Sequence, residues 1–392
     1  MRGSRHLVAV IVAALAAAGL SGSAAAPAGV ARVATPAAID LGTLGGTYSI
    51  AFAVSDKGHV AGWSSTTGDG PNHAFLWTKQ GGMVDVGTLG IDSFALAVNG
   101  TGQVVGYSDY EPFAYHGFSW TQQGGMVDLG TLDGTPGLSY ASAVNELGQV
   151  VGWSSTATAP VRGFSWTAQG GMVDLGTLGG SGSNAMAVND IGEVVGSADI
   201  AGEAESHAFS WTSDGGMVDL GTLGGTTSVA LAVNNSGQVV GSSFTAGDIE
   251  THAFSWTEEG GMVDLGTLGG NYSTAVAVNE NGQVTGDSFV PSGRSHAFIW
   301  TERRGMIDLG TLGGQNSHAR AVSGAGQVVG YSDISGNVTT HAFAWTKQGG
   351  MVDLGTLGGS DSVAYAVNDK GHVVGISDLA GDAEQHATLW HP

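Results

Sequence analysis

Apolar and small or polar residues alternate in short runs along the whole chain. No run carries the three-to-four spacing of an amphipathic helix. In residues 217–256 four such runs follow one another. Residues 217–223 read as a first strand. Residues 229–233 read as a second, with alanine on one face and larger side chains on the other. Residues 238–242 read as a third and 252–256 as a fourth, where period-two alternation puts His252, Phe254 and Trp256 on one face. The sequence Asn234-Asn235-Ser236-Gly237 ends in glycine, as a type I turn followed by a left-handed residue requires, so the second and third strands are expected to form a hairpin. The pair Gly215-Gly216 supplies the positive φ that a tight turn needs before the next first strand.

The pattern repeats. The word Asp-Leu-Gly-Thr-Leu begins at Asp40, Asp85 (with Val86 for leucine), Asp128, Asp174, Asp219, Asp264, Asp308 and Asp353, at intervals of 43 to 46 residues. A period near 45 with four strands and no helix is that of a propeller blade. The chain opens on a first strand at 39–44 and stops on a fourth strand at 387–390, so the last repeat lacks a strand that the N-terminus holds in surplus. Pairing the two removes an exposed edge. Fourth strands counted by Trp77, Trp120, Trp166, Trp211, Trp256, Trp300, Trp345 and Trp390 give eight blades. The expected fold is therefore all-β: an eight-bladed β-propeller of four-stranded antiparallel blades, closed by the N-terminal strand on the last blade and occupying residues 37–392 as one domain.

Composition narrows the class. Glycine is high, 68 of 392, but only 8 prolines accompany it, which excludes collagen. Residues 1–26 read as a secretory signal peptide, with Arg2 and Arg5 before an apolar stretch and Ala24-Ala25-Ala26 as a cleavage site; 27–36 is a short linker. The apolar stretch is too short to span a bilayer. The expected location is thus extracellular, without membrane insertion. Cysteine is absent, which removes disulfides and thiolate chemistry. A net charge of -22 repels phosphate backbones, so nucleic acid is excluded as a partner.

His-Ala-Phe recurs at His73, His207, His252, His296 and His341, with tryptophan two residues on and Gly-Gly-Met and Asp-Leu-Gly-Thr-Leu-Gly-Gly downstream. This combination resembles the HAF family of extracellular repeats over roughly residues 40–390. The resemblance implies a secreted or surface protein and no defined activity. His116-Gly117-Phe118, Arg162-Gly163-Phe164 and His386-Ala387-Thr388 depart from the motif.

Residues fixed in every repeat describe a scaffold. The recurring histidines are expected to hydrogen-bond a neighbouring strand and lock blade to blade, the recurring aspartates to accept backbone or threonine donors at turns, and the Phe and Trp to fill the space between blades. Function is expected where repeats differ: in the connections between first and second strands and between third and fourth, which emerge on one rim. The densest variable cluster is Asp109, Tyr110, Glu111, Phe113 and Tyr115, taken here as the ligand-binding residues of a monomeric binding module for an extracellular glycan or protein. No catalytic signature or cofactor motif is present, and no catalysis is expected. The alternatives are a glycosidase, a polysaccharide lyase using His318 with Arg320 or Tyr115 with His116, and a purely structural surface protein. The segments 199–205 and 378–384 place several oxygens around a Gly turn and offer calcium as a ligand, although neither has EF-hand spacing.

Overall fold

The computed structural model describes residues 37–391 apart from 112–113, 135–136, 158–160 and 203–204; the expected signal peptide and linker lie outside the described residues. The described chain is all-β, without a helix. Its building block is an antiparallel meander of four strands: the second, third and fourth strands of a repeat followed by the next first strand. The strands Gly224–Val233, Val239–Thr245, Thr251–Thr257 and Gly261–Asp264 form one such block. Hydrogen bonding groups the strands into six sheets, four of them four-stranded. The other two are eight-stranded, because single parallel bridges, Tyr48 to Gln385 and Ser206 to Thr227, join neighbouring meanders. No single sheet closes on itself. The N-terminal strand Ala38–Asp40 pairs antiparallel with Gln385–Trp390, with Ile39 opposite Leu389.

Two boundaries differ from the sequence expectation. The first strand ends at Asp219 and not at residue 223, and the second starts at Gly224, five residues before Val229. The cause is local. Asp219 Oδ1 accepts the Gly221 N–H at 2.7 Å, Gly221 has φ of 74°, and the Thr222 hydroxyl donates to the Gly225 carbonyl at 2.8 Å while accepting the Gly224 N–H at 3.1 Å. The Asp-Leu-Gly-Thr-Leu word is thus a hydrogen-bonded corner, with the aspartate in the turn-capping role expected for it. Each second strand also carries a bulge between its two framework alanines, as at Ala230 and Ala232.

The framework histidine departs from expectation in its partner. His252 Nδ1 lies 2.8 Å from Asp264 Oδ2, and His73, His116, His207, His296 and His341 meet the aspartate twelve residues on in the same way. The expected bond to a neighbouring strand is present, but that strand belongs to the same meander, so the pair does not lock one meander to the next. Arg162 takes the role at 3.8 Å from Asp174, and His386 pairs with Asp40 at 2.9 Å.

Links between meanders come from residues the sequence reading passed over. Ser273 Oγ accepts the Ala253 N–H of the preceding repeat at 2.8 Å and donates to its Gly266 carbonyl at 2.6 Å. Ser93, Ser228, Ser317 and Ser362 do the same, and Ser49 links to Ala387 and Gly42. A second relay runs through the hairpin turns. Asn145 Nδ2 donates to the Asn189 carbonyl, Asn189 to Asn234, Asn234 to Asn279, and Asn368 to Ser55, all at 2.9 Å. Apolar packing follows the same seams. Phe254, fully buried, clusters with Val195, Ala208 and Leu220 of the preceding repeat, as expected for inter-repeat core.

Ser273→Ala leaves a buried N–H and carbonyl without partners and is expected to lower stability by about 1–3 kcal/mol, whereas Ser213→Ala at an exposed turn is near neutral. Equal urea midpoints for the two variants would refute the seam role.

Candidate functional site

The third strand of each repeat contains Gly-x-Ser or a close variant, and the glycine is obligatory: a Cβ on Gly62, Gly106 or Gly152 would run into the carbonyl oxygen of Ile50, Phe94 or Tyr140 on the second strand. That close approach fixes residue x beside its cross-strand partner. In the first three repeats x is Trp63, Tyr107 and Trp153, facing Ile50, Phe94 and Tyr140. The result is a run of aromatic rings across three repeats. Tyr48 stacks on Trp63 at 4.8 Å and Trp63 meets Phe94 edge-on at 5.3 Å. Phe94 stacks on Tyr107 at 5.0 Å, Tyr107 on Tyr140 at 4.9 Å, and Tyr140 on Trp153 at 5.9 Å. Tyr115 leans on both Tyr107 and Trp153, at 5.4 and 6.1 Å.

These rings are half-buried. Among the described residues the hydroxyls of Tyr48, Tyr107, Tyr115 and Tyr140 have no hydrogen-bond partner, and none is sealed from solvent. Burial, then the charges of Tyr115, Asp109 and Asp92, pushes the Tyr107 phenol up to about 12; burial, then Tyr365 and Asp378, does the same for Tyr48. Asp109 is held above the usual carboxylate range by burial and then by Asp92. The site is a shelf with apolar ring edges, neutral hydroxyl donors and one weakly acidic carboxyl.

Of the residues singled out in sequence, Asp109 and Tyr115 face each other across the third and fourth strands at this shelf. Phe113 lies outside the described residues, as do the side chains of Tyr110 and Glu111. His116 is a framework histidine whose Nδ1 lies 2.9 Å from Asp128 Oδ1. His318 and Arg320 lie on the seventh repeat, not on the shelf. Several acidic loop residues serve the loops themselves. Asp69, with φ of 53°, accepts the Thr47 N–H and hydroxyl at 2.7 and 2.8 Å, and the Thr47 N–H lowers its pKa. Asp248 holds Thr226 in the same way, and Asp382 accepts the Ser360 N–H at 2.7 Å. Asp378 accepts Gln385 Nε2 at 2.6 Å and the Asp361 N–H at 3.1 Å. Among the described residues no group of three or more His, Asp or Glu side chains is arranged to hold a metal ion.

Raised phenol pKa values link the shelf to alkaline stability. A group whose pKa is higher in the folded state stabilises fully below its unfolded value and loses that contribution as pH rises through the folded one. For Tyr48 and Tyr107 the window runs from about pH 10 to about pH 12. An absorbance titration is expected to show tyrosines ionising near the top of this window, one fewer in Tyr107→Phe. Ionisation of every tyrosine near pH 10 in the folded protein would contradict the buried shelf.

No family model and no curated relative matches the chain. Among solved structures, a puromycin hydrolase is similar over 87% of this chain and 58% of its own, with 13% identity and a TM-score of 0.51. Dipeptidyl peptidase 4 of Porphyromonas gingivalis matches 87% of this chain and 57% of its own, with 10% identity and a TM-score of 0.49. A gluconolactonase of Xanthomonas campestris matches 62% and 82%, with 14% identity and a TM-score of 0.33. The chain therefore spans under two thirds of the length of the first two of these structures. At such identities the likeness concerns the fold alone, and it is a likeness to β-propeller proteins.

Proposed function

We propose that the chain is a secreted, monomeric eight-bladed β-propeller that binds an extracellular neutral glycan at the aromatic shelf, with Asp109 and Tyr115 in the site, and that it performs no catalysis there. The observation that carries this reading is the run from Tyr48 to Trp153. Continuous ring edges beside unpartnered hydroxyls match the alternating C–H and O–H surface of a sugar. Secretion rests on the leader-like residues 1–26 and on the resemblance to HAF repeats.

Closure into a ring is supported by three links of the last repeat to the first that copy internal ones: Ser49 to Ala387 and Gly42, Asn368 to Ser55, and Asp40 to His386. The apolar cluster of Ala51, Val60 and Phe75 with Val374, Ala387 and Leu389 spans the same seam. Because the chain has no cysteine, Ile39→Cys with Leu389→Cys provides a clean test. Directly opposed residues lie within disulfide reach. The oxidised double variant is expected to run as a compact monomer on a non-reducing gel. Free thiols after oxidation would count against closure.

For binding, Tyr115→Ala with Asp109→Asn is expected to weaken binding on a glycan array by tenfold or more, with the melting temperature checked in parallel. Undiminished binding by a folded double variant would move the ligand off the shelf. New reducing ends in the same incubation would replace the binding reading with a glycosidase built on Asp92 and Asp109.

A further inference from the structure

Three chemically distinct groups converge where the sixth and seventh repeats meet. Asp287 occupies the x position of Gly-x-Ser, which elsewhere holds Trp63, Tyr107, Trp153, Ser197, Ser242, Tyr331 or Ile376. His318 occupies the facing second-strand position, which elsewhere holds no basic residue. Arg320 sits at the bulge between Ala319 and Ala321, where the other repeats place Phe52, Leu96, Ser142, Met186, Leu231, Val276 or Tyr365. Each is the single charged or imidazole side chain at its position in any repeat. Random drift among framework positions would scatter such exceptions, whereas these three lie within one junction.

Their geometry is constrained. His318 Nδ1 is 2.9 Å from Asp287 Oδ2, while Asp287 Oδ1 accepts the Ala319 N–H at 2.8 Å, so a buried carboxylate held by backbone fixes the imidazole. A bond to the carboxylate calls for an N–H on Nδ1, and Nε2 has no partner among the described residues. Arg320 makes no ion pair among the described residues, in a chain of net charge -22. Instead its Nη2 donates to the Tyr331 hydroxyl at 3.0 Å and its guanidinium carbon lies 5.0 Å from the Tyr331 ring centroid. The ring of His318 also leans on Tyr331, with centroids 4.9 Å apart. The arginine is therefore positioned by an aromatic ring and one hydroxyl, with further N–H donors uncommitted. Tyr331, already accepting from Arg320, has its own proton to give.

We propose that this junction is a site for a carboxylate that carries a neighbouring hydroxyl, of the uronic acid class. Arg320 takes the carboxylate through its forked donors, Tyr331 adds a hydrogen bond, and His318 Nε2 accepts from the adjacent hydroxyl. Tyr365, whose phenol senses the Arg320 charge, and Phe52, 5.1 Å from Tyr365, supply an apolar wall toward the next repeats. The site uses none of the shelf residues and stands apart from the neutral-glycan reading.

Calorimetric titration of the full chain with glucuronate and galacturonate, against glucose and galactose, tests it. At least one uronate is expected to bind saturably and at least tenfold more tightly than its neutral congener. Arg320→Gln is expected to abolish that preference, Arg320→Lys to restore only part of it, and Ser213→Ala at an exposed turn to leave it unchanged. If Arg320→Gln does not fold, the His318 Nε2 nitrogen resonance of the wild-type protein is expected to move on uronate addition and stay fixed with glucose. Uronates binding no better than neutral sugars, a preference that survives in folded Arg320→Gln, or an unmoved Nε2 resonance would each overturn the proposal.

Discussion

Two backbone groups at each seam decide how the sheets can meet. The N–H that follows the framework histidine and the carbonyl of the Asp-Leu-Gly glycine both point out of their own meander, where no strand pairs them. Buried without partners they would cost about 1–3 kcal/mol each. One serine hydroxyl from the next repeat satisfies both, accepting from Ala253 and donating to Gly266 in the case of Ser273. Serine is small enough to let the two sheets approach until Phe298 joins Val240, Ala253 and Leu265 in one cluster, and a larger polar residue would hold them apart. The apolar core between repeats therefore depends on a polar contact inside it.

That arrangement frees other positions. With seams held by serine, turns by asparagine and corners by aspartate, residue x of Gly-x-Ser and the second-strand residue that faces an x carry no framework duty, and they vary from repeat to repeat. Both lie on strands, held more rigidly than any loop. Chemistry placed there needs no ordering on binding, which is the advantage of preorganised sites. The aromatic shelf and the charged junction are two uses of the same pair of positions in different repeats.

Much of this was legible in the sequence. Strand order, the glycine turns and the surplus first strand follow from periodicity and φ requirements alone, and the spacing of twelve between His252 and Asp264 was available as a pairing signal. The partner of the histidine was misassigned, because a recurring residue reads equally well as a bond within or between sheets. The seam serines were passed over because serine inside a strand has no pattern of its own; only a buried unpaired N–H gives it meaning. The shelf was half found. Asp109 and Tyr115 were reached through loop variability, but Trp63 and Trp153 were not, although they are two of the 10 tryptophans and the pair that falls outside the fourth-strand frame. Searching the connections alone hid variation that sits within strands.

The acidity of the chain takes on a different meaning once its carboxylates are placed. A charge of -22 suggests a surface that sorts partners by long-range repulsion. Yet the recurring aspartates cap glycine N–H groups and pair with His, or with Arg162 at Asp174, while Asp69, Asp248 and Asp382 hold loop threonines and serines. In His341 and Asp353 the coupling is directly visible. Burial pushes the imidazole pKa down, but the Asp353 hydrogen bond and charge outweigh it and leave the pKa raised. Burial likewise acts to raise the Asp353 carboxyl, and the His341 bond, the Gly355 N–H and the His341 charge together outweigh it and leave it lowered. Such carboxylates exist for turns and corners, and their charge is answered within a few ångströms. In the proposed reading, what acts on a ligand is then the local chemistry of the shelf and junction, where Arg320 is set apart by its place on a second strand and by the Tyr331 ring and hydroxyl that position it.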